Sequence, residues 1–360
     1  MTIGVGIVGL SARGGWAGLA HVPALRALPD HFRIAGLAGS SPVAAAAAAE
    51  RYAVPFHTDE PAALAARPDV DLVVIAVKVP EHRRLIEQVL DAGKAIYCEW
   101  PLGNGLDEAE VLAARLEDGR IDGFIGLQAR SAPPLRFVAD LIAQGYVGEV
   151  LASEVSALVG EPWNGRSSPR RAYLNEKANG ATMLSIPFGH CLDLVTSILG
   201  PAERLQAQAM VKRPTVLLDG DAMIASDVED HVAVLATLGD GVFGSFCYRG
   251  EEIDGDGFRW DITGTGGRLR VLGQDGHVQY GQVRIFGGRT GEALKPLPLP
   301  DTYRLAPVEP ASHAFAVAHA YLAVADALEG KPNLAPRFAD ALALHRMLDR
   351  IERAAHSAGR

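Results

Sequence analysis

The stretch from Ile3 to Trp16, Ile-Gly-Val-Gly-Ile-Val-Gly-Leu-Ser-Ala-Arg-Gly-Gly-Trp, narrows the possible folds more than any other. Its apolar, β-branched start reads as a buried parallel strand. Gly9 ends that strand at a tight turn, and Gly14 and Gly15 open a helical pattern through Ala17, Leu19, Ala20, Ala24, Leu25 and Leu28. Strand, glycine turn and helix N-terminus together make a site for a dinucleotide pyrophosphate, because free N–H groups face the anion and the helix dipole favours negative charge. The spacing departs from the usual fingerprint: Ser11 stands where a second glycine would let the backbone approach the phosphates. Gly15 takes the third glycine's place if the loop is one residue longer. Arg13 is placed either to meet a phosphate or to sit in solvent. Gly9, Ser11, Arg13, Gly14, Gly15 and Trp16 are therefore candidate cofactor-binding residues.

The pattern then repeats. Phe32 to Gly39 reads as a second strand and the alanine-rich run to Tyr52 as a helix; Val70 to Val77, Lys94 to Glu99 and Gly123 to Gln128 read as further strands with helices between them. Such alternation argues a doubly wound parallel sheet, α/β in class, over residues 1–128. Ligands then lie beyond the strand C-termini, where Ser11, Lys78, Glu99 and Gln128 fall, with Pro80 and His82 in the turn after Lys78. The second strand ends in Gly39-Ser40-Ser41, without the carboxylate that usually holds the adenosine ribose of NAD. Serines bond a hydroxyl or a 2′-phosphate equally, so NAD or NADP is expected, with Ser40 and Ser41 as further cofactor-binding candidates.

After residue 130 the reading changes. Strand-like segments at 150–158, 204–212, 232–238, 241–248, 259–263, 268–272 and 278–283 follow one another with few helices between, which predicts a largely antiparallel, open-faced sheet. A helix at 183–199 covers it and helices at 311–328 and 337–356 end the chain, so residues 129–360 form a second α/β domain for substrate binding and oligomerisation. The net charge of −9 leaves no basic footprint for nucleic acid. Cys98, Cys191 and Cys247 are scattered, without metal-ligand spacing, which suits a reducing compartment. No apolar run approaches a membrane span and no signal peptide is evident. The expectation is a cytoplasmic protein. The acidic loop Glu251, Glu252, Asp254, Asp256 reads as a solvated turn.

The opening glycine turn, Lys78-Val79-Pro80-Glu81-His82, Tyr97-Cys98-Glu99-Trp100-Pro101, Leu127-Gln128-Ala129-Arg130-Ser131, Gly148-Glu149-Val150 and Phe188-Gly189-His190-Cys191-Leu192-Asp193 together resemble the glucose-fructose oxidoreductase/inositol dehydrogenase (Gfo/Idh/MocA) family, and within it the Gal80-like branch. The resemblance spans nearly the whole chain. It implies an N-terminal Rossmann domain, a C-terminal open-faced α/β domain, and homodimers or homotetramers built through that sheet.

The departures bear on chemistry. The family's dehydrogenases carry Glu-Lys-Pro, whose lysine bonds the substrate hydroxyl, and Asp-x-x-x-His as a proton relay. Here Trp100 replaces that lysine and Ile186 that aspartate, while His190 survives. Oxidising an alcohol requires a base, worth roughly 10²–10⁴-fold in rate. His190 is the candidate acid/base, with Lys78 and Tyr173 as possible substitutes; their alternatives are a core histidine, a phosphate or surface contact and a loop tyrosine. Trp100, Arg130, Tyr173, Ile186 and His190 would line the substrate pocket, Trp100 as an apolar wall for a carbohydrate-like ligand. Arg130 is read equally as a domain-junction ion pair. Glu99 is assigned to the nicotinamide ribose. Three functions stay open: an NAD(P)-dependent oxidoreductase of a sugar, polyol or related carbonyl compound; a non-catalytic dinucleotide-binding regulator with a protein partner; and elimination or glycoside cleavage through transient oxidation.

Overall fold

A computed structural model describes residues 2–117 and 119–358. The chain folds into two compact units, one from residues 1–132 and 304–343, the other from 133–303 and 344–360. The first unit holds a six-stranded parallel sheet of β1 (Ile3–Val8), β2 (Phe32–Ala38), β3 (His57–Thr58), β4 (Leu72–Ile75), β5 (Ala95–Glu99) and β6 (Gly123–Gly126). Its order, β3-β2-β1-β4-β5-β6, is doubly wound about β1 and β4. The central strands are buried on both faces, β4 throughout and β1 from Gly4 on, so they read as continuous apolar runs rather than alternating ones.

The late helix Ala314–Leu328 returns to this unit. Its Val317, Tyr321 and Val324 join Val5, Ile7, Leu37 and Phe124 in one core, and Tyr321 stacks on Tyr97 at 5.2 Å between ring centroids. A single cut after residue 128 misses this return, because the burial that draws the helix back is contributed by residues far apart in the chain.

The second unit is built on an eight-stranded sheet. In chain order its strands and those of a small three-stranded sheet are β7 (Val150–Val159), β8 (Arg166–Ser167), β9 (Arg204–Met210), β10 (Thr215–Leu218), β11 (Met223–Ala225), β12 (His231–Leu238), β13 (Val242–Gly250), β14 (Phe258–Gly264), β15 (Gly267–Gly273), β16 (Val283–Arg289) and β17 (Lys295–Pro296). The large sheet runs β17-β16-β15-β14-β7-β13-β12-β9 and is antiparallel except for the β7–β13 pair. Alternation sets its faces: Val232, Val234 and Ala236 are buried, while Leu235 and Phe243 lie about half exposed on the opposite side. The helix Gly189–Leu199 covers the buried face, introduced by Phe188, whose ring meets Phe246 and Tyr248. The expected strand at 278–283 is displaced. Val278–Tyr280 is a 3-10 turn closed by left-handed Gly281 (φ 70°), and the strand begins only at Val283.

Two helices begin irregularly. Val22 N–H reaches Ala17 O across the turn Ala17–His21, and Phe188 N–H reaches Met183 O across Leu184–Phe188, the wider spacing of a π-helical turn. Proline explains both, since Pro23 follows the first and Pro187 lies inside the second; each lacks the N–H that would continue an α ladder.

Candidate functional site

The glycine turn after β1 is held by its own backbone. Gly14 N–H donates to Ser11 O at 3.0 Å, Arg13 N–H to Ser11 Oγ at 3.2 Å, and the Arg51 guanidinium to Ala12 O at 2.6 Å. A Cβ on Gly9 would lie 2.4 Å from Ala76 O, at the end of the neighbouring strand β4, so only glycine fits there. Gly14 and Gly15 have φ of +88° and +130° with nothing within 4 Å of a Cβ position: here the requirement is conformational, and the space above the turn is open. This is the shape a pyrophosphate needs, and the residues fit a dinucleotide.

Around it, Ser41 is spent capping the helix Pro42–Tyr52, accepting from Ala44 N–H at 3.2 Å, while Ser40 is exposed at the end of β2. Lys78 and Pro80 are exposed beyond β4. His82, a cofactor-binding candidate from sequence, serves another purpose. Its Nδ1 lies 2.8 Å from Pro101 O and its Nε2 3.1 Å from Val77 O, so the ring bridges the chain after β4 and the chain after β5, the neutral imidazole donating its single N–H to one of the two carbonyls. Burial lowers its pKa. Trp100 is buried at 4 % exposure; Gln128 is buried with its Oε1 lacking a donor. Arg130, read as a pocket group or a domain-junction ion pair, is ion-paired with Asp340 at 2.9 Å, both residues lying in the first unit, and Asp340 also accepts from Arg337 N–H. Trp16 packs edge-on against His21 and His313.

Glu99 ends β5 opposite Gly126, and a Cβ at Gly126 would come within 2.6 Å of its Oε1. Sequence reasoning missed its neighbour. His21, wholly buried, brings Nε2 to 3.1 Å from Glu99 Oε1, inside ion-pair range though off hydrogen-bond geometry, and Nδ1 to 2.7 Å from the Tyr321 hydroxyl. The available signal was a polar residue on the otherwise apolar face of the first helix.

In the second unit, Tyr173 is half-buried in the turn Ala172–Asn175, and burial raises its phenol pKa. Ile186 is half-buried within the π-helical turn, four residues before His190. His190 is buried, its Nδ1 has no hydrogen-bond partner among the described residues, and its pKa is lowered to about 3, by burial first and by His277 second. His277 was also missed; it stacks on Tyr280 at 5.3 Å and on Trp163 at 6.2 Å. The causes of the shift are desolvation and His277, and the position one helical turn before His190 is the apolar Ile186. Lys78 lies in the first unit and Tyr173, Ile186 and His190 in the second.

Comparison with known proteins agrees with this layout. Residues 3–120 match the model of the oxidoreductase family with an NAD-binding Rossmann fold, and residues 133–273 match that of the Gal80p C-terminal domain. The chain is 33% identical to dehydrogenase aclE of Aspergillus oryzae over 285 residues, 75% of this chain and 77% of that protein. The chain belongs to the Gfo/Idh/MocA family. Within it, the galactose/lactose metabolism regulatory protein GAL80 of Saccharomyces cerevisiae is 27% identical over 329 residues, 86% of this chain and 74% of that one. The solved structure of a super-repressor mutant of Gal80p shares the fold at a TM-score of 0.90 and 23% identity, covering 99% of this chain and 97% of that one. Levoglucosan dehydrogenase, solved with NADH and levoglucosan, does so at 0.84 and 20% identity, covering 99% and 98%. This Gfo/Idh/MocA chain therefore sits among both dehydrogenases and regulators. Among its described residues no helix is long and apolar enough to cross a membrane.

Proposed function

We propose that this protein is an NAD(P)-dependent oxidoreductase of a sugar, polyol or related carbonyl compound, with His190 as the acid–base group. The observation that carries the reading is the Nδ1 of His190, buried without a hydrogen-bond partner among the described residues. Leaving such a group unsatisfied costs about 1–3 kcal/mol, which a folded chain tolerates where a ligand will complete the bond. Gly9, Gly14 and Gly15 hold the pyrophosphate and Glu99 accepts from the nicotinamide ribose. The nicotinamide supplies hydride chemistry when bound. The imidazole of His190, uncharged at neutral pH, takes the hydroxyl proton, weakly, since burial disfavours the cation it becomes. Trp100 and the half-buried Ile186 give the family's two proton-handling positions an apolar character, which suits a slow enzyme. The exposed Leu235 and Phe243 on the open sheet face support a homo-oligomer built through it.

A second reading, a regulator that binds dinucleotide without turnover, is favoured by one specific fact: both the lysine and the aspartate positions are apolar. NADH and NADPH titrations, followed by a sugar and polyol panel with NAD⁺ and NADP⁺ as hydride acceptors, separate the two. Turnover that His190→Ala removes supports the enzyme; tight cofactor binding with no turnover by the wild type supports the regulator.

A further inference from the structure

We propose that His21 and Tyr321 are positioning residues, which orient the Glu99 carboxylate for the nicotinamide ribose of a bound dinucleotide. The inference deepens the dinucleotide-binding reading above and rests on it. Three polar side chains from positions 21, 99 and 321 meet in a box otherwise made of rings: Trp16 and Tyr97 stand edge-on to His21, and Phe32 and Tyr97 pack on Tyr321. The His21 side chain is wholly buried and that of Glu99 is 13% exposed, so the carboxylate has one open edge at the C-terminal end of β5. For stability alone, well-packed apolar residues would serve such a place as well or better. A buried carboxylate with one open edge suits a ligand.

The bonding order can be read from the partners. Burial keeps the Tyr321 phenol protonated well beyond the ordinary range, with the charge of Glu99 acting in the same direction. Its O–H is thus a donor, and the atom in front of it, 2.7 Å away, is His21 Nδ1. A neutral imidazole that accepts at Nδ1 carries its proton on Nε2, the atom 3.1 Å from Glu99 Oε1. The Tyr321 hydroxyl therefore selects the tautomer that turns an N–H, and not a lone pair, toward the carboxylate. On the other side Gly126 leaves room for Oε1 where any side chain would clash. Oε1 is itself buried and faces His21, so the open edge of the carboxylate belongs to Oε2, the oxygen left to accept from a ribose diol.

Tyr321→Phe tests this with the ring stack kept and one oxygen removed. NADH binding is titrated by fluorescence for the wild type, Glu99→Gln, Tyr321→Phe and the double variant, with ADP, which lacks the nicotinamide ribose, as the control ligand. The expected results are a loss of NADH affinity of about 10-fold or more in Glu99→Gln and about 3- to 10-fold in Tyr321→Phe. The double variant should be no weaker than Glu99→Gln alone, and ADP affinity should be unchanged throughout. The inference is overturned if Tyr321→Phe binds NADH like the wild type, if the two losses multiply in the double variant, or if ADP weakens in parallel, the mark of a purely structural role. A wild type that binds no NADH would instead overturn the dinucleotide reading on which the inference stands.

Discussion

His21 and His190 are set up alike and end differently. His21 closes one π-helical turn and His190 lies two residues beyond another, each turn has a proline near its end or inside it, and each histidine is buried. In the first unit the imidazole finds a hydroxyl on one nitrogen and a carboxylate near the other. In the second it finds Ile186 one turn before it and a second imidazole, His277, nearby, and its pKa drops to about 3. Burial removes a histidine's charge when nothing polar shares the burial. The contrast leaves a hydrogen-bonded imidazole in the first unit and, on the covering helix, a neutral one whose Nδ1 has no partner among the described residues.

The contrast can be broken most sharply at His190. His190→Ala is expected to lower turnover by roughly 10²–10⁴-fold while NADH affinity in a fluorescence titration stays at the wild-type value. Ile186→Asp should make the second unit resemble the first: a carboxylate one turn away raises the pH at which His190 titrates, by about 1 to 3 pH units. Proton NMR of the imidazole would follow that change, and the acid limb of the kcat profile should rise with it.

Stability offers a test that needs no substrate. The native state keeps His190 neutral, whereas the unfolded chain protonates near pH 6.5, so the unfolded state gains a proton as pH falls and the protein loses stability. The loss begins below pH 6.5, reaches about 2 kcal/mol from this group at pH 5, and stops growing near its native pKa. His345, lowered to about 4 by burial, acts in the same direction. Urea denaturation at pH 7 and pH 5 should show a shallower pH dependence for His190→Gln than for the wild type. The smallest effect is in the cofactor turn: Gly15→Ala, forced to φ +130°, should cost about 1–2 kcal/mol in urea denaturation, and weaken NADH binding as the turn shifts.

Five of the first unit's six strands were legible because they are mostly apolar and each ends at, or within three residues of, a glycine or a charged residue, as β1 does at Gly9 and β5 at Glu99; the two-residue β3 (His57–Thr58) carries no such run and was not read. The substitutions Trp100 and Ile186 were legible as well, once His190 set the register. Three other things were not. The helix Ala314–Leu328 carries no mark of the unit it joins, since its partners, such as Tyr97, are distant in the chain. His82 read both as a cofactor candidate and as a support of the turn after Pro80, but the two segments it joins, at the carbonyls of Val77 and Pro101, show only in the structure. The pairing of His21 with Glu99 and Tyr321 depends on three segments converging, which no local pattern encodes.

The most direct test of the account is a calorimetric titration of the wild-type protein with NAD⁺, NADH, NADP⁺ and NADPH. Saturable binding of at least one of them below about 1 mM, the ordinary range for cofactor sites, is the predicted result. No heat from any of the four at several times that concentration would contradict it, whatever the turnover assays show.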